Sequence, residues 1–205
     1  MIMKKAVVLH IILFVMEIVA LIYDIHVFGL SMFKYYTIDS NILQLIVSAM
    51  ILYYVLAAKK DRIPAYLSVL HLVCAVCLTI TFLIALLVLA PQEGFAYYFL
   101  QNVAPINHFL GPLLSVITFL FLERSEKLPG RALFAPMAAT LLYGVIALIL
   151  NVAGVLHGPY FFLQVYDTPA GTIVMWFAII SILCIALSWI YLWIKKRMYM
   201  KGSAG

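Results

Sequence analysis

A small set of polar side chains has the types and spacing for chemistry. His10, Glu17 and Asp24 recur every seven residues inside an otherwise apolar run. Seven residues are nearly two turns of α-helix, so the three share one face, with neighbours about 10 Å apart along the axis. Ionisable groups in such a setting are costly and ask for a partner or a purpose. One reading of this face is a proton relay or ion path. The other is a row of buried polar groups hydrogen-bonded to neighbouring helices, because about 10 Å is too far for direct proton hand-over without water.

A second set gathers at the starts of two later apolar segments. One opens Tyr36-Thr37-Ile38-Asp39-Ser40-Asn41, and the other opens Gln101-Asn102-Val103-Ala104-Pro105-Ile106-Asn107-His108. Thr37 and Asn41, four apart, share a helix face, and Pro105 suits a first helical position. A threonine hydroxyl is a poor nucleophile until a base takes its proton, and histidine suits that task near neutral pH. Thr37 as nucleophile and His108 as base would make an acyl-transfer pair. Amide donors from Asn41 or Asn107, or free N–H groups at a helix start, would hold the oxyanion, with Asp39 in support. The alternative is that Thr37 only caps a helix, Asp39 complements its dipole and His108 is an interior histidine. His157, Gln164 and Asp167 lie in a later polar connection that would sit over the mouth of such a site or be a solvated loop.

The elements that must hold these residues follow from composition. Of 205 residues, 67% are hydrophobic and only 10% charged, against roughly 45–50% apolar in soluble chains. That excludes a soluble enzyme, a disordered tail and a secreted disulfide scaffold. A net charge of +5, with the basic residues scattered in short clusters, excludes a nucleic-acid partner. Cys74, Cys77 and Cys184 fall inside apolar runs and read as packed thiols. The Cys74/Cys77 pair has no second ligand pair, so no metal site is expected, nor any cofactor for acyl transfer.

Six stretches are long and apolar enough for transmembrane helices: 6–28, 38–58, 64–90, 103–122, 132–154 and 171–194. The first follows Lys4 and Lys5 but is too long for a signal peptide and lacks a small-residue cleavage site. The expected fold is therefore all-α: one polytopic domain over residues 1–201, a six-helix bundle, with 202–205 a flexible tail. Lys4 and Lys5, then Lys59, Lys60 and Arg62, then Arg124, Lys127 and Arg131, then Lys195, Lys196, Arg197 and Lys201 fall on one side of this topology. Lys34 alone falls opposite. The positive-inside rule makes both termini cytoplasmic. Thr37 and His108 then share the far side at similar depth, beneath aromatic-rich connections at 91–102 and 155–170.

Three short patches carry a resemblance. Tyr36-Thr37-Ile38-Asp39-Ser40-Asn41-Ile42-Leu43, Asn107-His108-Phe109-Leu110-Gly111-Pro112 and, more loosely, Tyr160-Phe161-Phe162-Leu163-Gln164-Val165 resemble the androgen-induced and androgen-dependent membrane protein family and its bacterial six-helix relatives. The resemblance implies an integral protein of the bacterial cell membrane. It also implies hydrolysis of fatty-acid esters of hydroxy fatty acids or related lipid esters, with Thr37 as nucleophile and His108 as its partner. Membrane lipids and a lipid ester are the expected partners. Two other classes stay open: a proton-coupled transporter using His10, Glu17 and Asp24, and a haem protein using paired histidines, since His10 and His71 fall at similar depth.

Overall fold

The computed structural model describes residues 2–202. Among these there is no strand, only an isolated parallel bridge between Ile63 and Ser125. Five helices are long and apolar enough to cross a membrane: α1 (Lys4–Lys34), α2 (Tyr36–Ala57), α3 (Ala65–Glu93), α5 (Gly130–Val152) and α6 (Ala170–Met198). Between α3 and α5 lies α4, Ile106–Leu122, a shorter apolar helix. The protein is thus an all-α chain of membrane-protein character. Apart from Gly202, which closes the last helix, the expected tail at 202–205 lies outside the described residues.

Backbone chemistry sets the boundaries. Tyr35 is extended (φ −96°, ψ 119°) and separates α1 from α2, its carbonyl accepting the N–H groups of Ile38 and Asp39. Pro64, also extended, precedes α3. The expected fourth stretch began at 103; the left-handed backbone at Asn102 (φ 49°) ends the preceding connection, helix begins at Ala104, and Pro105 stands in the first turn, where its missing N–H costs nothing. Gly94 (φ 104°) lets the chain turn sharply between Ala90–Glu93 and a short helix, Phe95–Phe99. The buried Tyr98 and Phe99 of that helix fold back on Ala85, Leu89 and Ala90, so this connection caps the bundle.

α3 is the axis. Its most apolar stretch is 61% buried, against 11–33% for the other four long helices. It contacts α2, α4, α5 and α6, and α1 closes the group against α2 and α4. α1 shows how such a bundle is patterned. Val8, Val15, Val19 and Ile22 face outward, while His10, Glu17 and Asp24 on the opposite face are 0%, 2% and 4% exposed. Apolar side chains outward and polar ones inward is the arrangement a lipid surround favours. The loops around Ile63 and Ser125 pair at one end through Ile63 N–H to Arg124 O (2.8 Å) and Glu126 N–H to Ile63 O (2.9 Å). Two of the four basic clusters therefore share that end.

Candidate functional site

At the opposite end a cavity of about 520 Å³ opens between α1, α2, α4 and the connections above them. Thr37, His108, Asp24 and Asn107 line it, and Tyr98 and Tyr160 close it from the connections. Its size falls within the roughly 300–1,000 Å³ common for small-molecule sites. Thr37 stands in the first turn of α2, but the residue in the capping position is Tyr35, and no side chain caps this helix start. The N-cap role considered for Thr37 is therefore not the one it has. Its side chain also borders a second, narrow cleft of about 60 Å³. Ile80, Ile84, Leu141, Phe177 and Ile180 make that cleft apolar, and Tyr160 borders both spaces. Thr37 thus sits where a polar cavity meets an apolar slot.

His108 lies in a π-helical turn, Ile106–Leu110, a local widening often found at functional sites. Its Nδ1 is 3.2 Å from the Ala104 carbonyl, and its ring meets Tyr98 and Phe99 edge-on at 5.4 and 6.2 Å. The Tyr98 main chain also interacts with the ring. With Nδ1–H donating to Ala104, a neutral imidazole carries its lone pair on Nε2. Thr37 and His108 share the cavity; a hydrogen bond between their side chains is not part of the described network.

Beneath this wall the amides act as clamps. Asn41 Nδ2 donates to the Thr37 carbonyl (2.9 Å) and to the Asn107 carbonyl (3.2 Å), tying α2 to α4. Asn107 Nδ2 donates to Asp24 Oδ2 at 3.0 Å, tying α4 to α1. The Asn41 N–H donors are thereby committed to carbonyls rather than turned to the cavity. Asp39 is partly buried and is not on the cavity wall. Of the three polar residues in the later connection, Gln164 reaches the wall, whereas His157 and Asp167 do not.

Tyr160 is the neighbour that the spacing of Thr37 and His108 does not reveal. Burial pushes its hydroxyl up to about 12, while hydrogen bonding with the Thr37 side chain and with the backbone of Tyr36 and Thr37 pulls it back. The phenol is therefore protonated at neutral pH and lies next to Thr37.

The far end of the bundle holds a second polar group. Glu123, at the end of α4, accepts from Lys195 Nζ (2.6 Å), His71 Nδ1 (2.5 Å) and the Ser68 hydroxyl. Lys195 Nζ also donates to the Phe119 carbonyl at 3.0 Å and lies 3.8 Å over the Phe119 ring. The expected last span ended at residue 194, with Lys195 in the basic cluster that follows it. Instead α6 continues past residue 194, and Lys195 is buried at 2% exposure. Ser68 and His71 share a face of α3 by their spacing, but that alone does not point to Glu123 or Lys195. His10 joins this group, its Nδ1 3.3 Å from Ser48 Oγ and its ring 5.1 Å from that of His71. Two axial imidazoles must stand on opposite faces of a porphyrin, and these two rings touch each other. Gln44 continues the chain, donating to Ser48 (2.9 Å) and accepting from Ser115 (2.6 Å).

The face seen in the sequence is therefore a buried column, with His10 in the far cluster, Glu17 between, and Asp24 at the cavity. Among the described residues no cluster of three or more His, Cys, Asp or Glu side chains has metal-binding geometry. In comparisons with known proteins the chain matches no family model, no curated protein sequence and no solved structure.

Proposed function

We propose that the protein is a six-span intramembrane hydrolase of lipid esters, with Thr37 as nucleophile, His108 as base and both termini cytoplasmic. The observation that carries this reading is the position of Thr37 at the junction of a polar cavity and an apolar slot. A fatty-acid ester has the same two-part character: a polar carbonyl and leaving group, and a hydrocarbon tail. With the carbonyl at Thr37, the tail follows Ile80, Leu141 and Phe177, and the alcohol portion lies in the cavity beside His108. α4 would be the sixth span, at the short end of the roughly 17–25 residues a crossing uses. The three-patch resemblance to the androgen-induced family supports the same chemistry.

In the reaction, Thr37 Oγ attacks the ester carbonyl as its proton passes to His108 Nε2. The tetrahedral oxyanion accepts a hydrogen bond from the Tyr160 hydroxyl. Collapse breaks the ester C–O bond, and His108 returns the proton to the leaving alcohol. Water then attacks the acyl-Thr37 ester with His108 again as base, which releases the fatty acid and restores Thr37. The test is turnover of fatty-acid esters of hydroxy fatty acids by purified protein. Activity is expected for the native chain and absent in Thr37→Ala; equal turnover in both would remove Thr37 from the mechanism.

The polar column from His10 to Asp24 favours a second reading, proton-coupled transport. Proton-driven uptake in proteoliposomes that disappears in a Glu17→Gln, Asp24→Asn double variant would support it, and the same flux in both proteins would count against it.

A further inference from the structure

One group in the column is unexplained by hydrolysis. Gly111, on α4, has no side chain, and a β-carbon placed there would lie 2.8 Å from Glu17 Oε1, 2.9 Å from the Ile106 carbonyl oxygen and 3.2 Å from Asn41 Oδ1. Three oxygens from α1, α4 and α2 thus converge beside one glycine. All three are acceptors; the Ile106 carbonyl already takes the Gly111 N–H across the π-helical turn and keeps one lone pair. The orientation of the Asn41 amide is settled by its partners, since its Nδ2 serves two carbonyls and its Oδ1 must point the other way. The same logic fixes Asn107, whose Nδ2 serves Asp24.

Both carboxylate oxygens of Glu17 and the Oδ1 atoms of Asn41 and Asn107 are buried with no hydrogen-bond partner. Glu17 is 2% exposed, Asn41 4% and Asn107 5%. Buried polar groups in this state are expensive. A single proton bridges only one pair of oxygens, whereas a cation satisfies several at once.

We propose that Glu17, Asn41 and the Ile106 carbonyl form a binding site for a small monovalent alkali cation, sodium being the natural probe. The donor set is all oxygen, which suits a hard cation rather than a thiophilic or imidazole-bound metal. One carboxylate at the point of convergence neutralises one positive charge, which favours a monovalent ion. Ile106 begins the π-helical turn, and its carbonyl, which accepts the Gly111 N–H, has a second lone pair to offer a cation. Asn107 and Asp24 line the cavity next to the site. Occupancy steadies Asn41, and through it the Thr37 and Asn107 main chain. The site stands on these oxygens alone and does not depend on the chemistry assigned to Thr37.

The test uses the full-length protein purified in detergent with choline as the only small cation. Adding sodium chloride, with choline chloride at equal ionic strength as the control, is expected to raise the melting temperature saturably. At a hundredfold excess over Kd the rise should be about 5 °C. Radioactive sodium should be retained at about one ion per chain and displaced by unlabelled sodium but not by choline. Glu17→Gln keeps the shape and removes the charge, and Gly111→Ala fills the notch; both should lose the sodium-specific shift. Should either variant fail to fold, sodium retention by the native chain decides. Equal effects of sodium and choline with no retained sodium would overturn the site. So would sodium binding that survives Glu17→Gln, or an infrared band of a neutral Glu17 carboxylic acid in saturating sodium.

Discussion

Thr37, His108 and Tyr160 line one cavity, and the role proposed for each makes a separable prediction. Tyr160 offers a protonated phenol beside the proposed nucleophile. Replacing one oxyanion donor typically costs about 10²–10³ in kcat. Tyr160→Phe should therefore lower kcat by about 10²-fold with little change in KM, read from steady-state hydrolysis; an unchanged kcat would take Tyr160 out of the oxyanion role. That Thr37 and His108 lie at one end of the bundle was legible from type and position. Tyr160 was legible only as one of many aromatics in a connection, since nothing in its spacing from Thr37 says that the chain folds it back over the start of α2. Asn41 and Asn107 were legible as polar neighbours but not in their roles. Their amide hydrogens bind the Thr37 and Asn107 carbonyls and the Asp24 carboxylate, which makes them braces between helices.

Between elements, the interactions that hold α3, α4 and α6 together are ionic as well as apolar. Glu123 and Lys195 are both buried, and His71 and Ser68 complete the shell around the carboxylate. Breaking a buried pair by removing one partner strands the other charge and costs about 3–5 kcal/mol. Lys195→Met should accordingly lower stability by about that amount in reversible unfolding in detergent, and the Lys195→Met, Glu123→Gln double variant should recover much of the loss. An additive double variant would show that the two do not act as a pair. This pin was hidden in the sequence because both residues sit at the ends of apolar runs, where a solvated charge and a buried one look alike. Contacts between α5 and α6 tune the apolar slot in a similar way. A β-carbon at Gly144 would meet the Phe177 ring at 2.9 Å, so that ring is held close and forms part of the slot wall. Phe177→Ala should widen the slot and shift substrate preference toward bulkier or longer acyl chains, measured as the ratio of kcat/KM across a chain-length series. An unaltered ratio would place the acyl chain elsewhere.

Across the whole molecule, polarity is arranged from end to end. Basic loops gather where Ile63 meets Ser125, and the cavity lies at the other end. On the proposed topology, with both termini cytoplasmic, a C-terminal green fluorescent protein fusion should fluoresce, and cysteines introduced in the connection near Tyr97 should react with a membrane-impermeant maleimide added outside; the opposite pattern would invert the topology. The helical class, five long spans and the inward face of α1 could all be read from hydropathy and a seven-residue spacing. The π-helical turn Ile106–Leu110 at the start of α4 could not. Nor could the central place of α3, which rests on packing between distant segments. The central claim is that Thr37 becomes acylated during turnover, and covalent capture tests it most directly. Membranes carrying the full-length protein are treated with a fluorophosphonate probe and the modified peptide is mapped by mass spectrometry. The adduct is expected on Thr37, with its loss in Thr37→Ala and a marked slowing in His108→Ala. Labelling that persists unchanged in Thr37→Ala would contradict it.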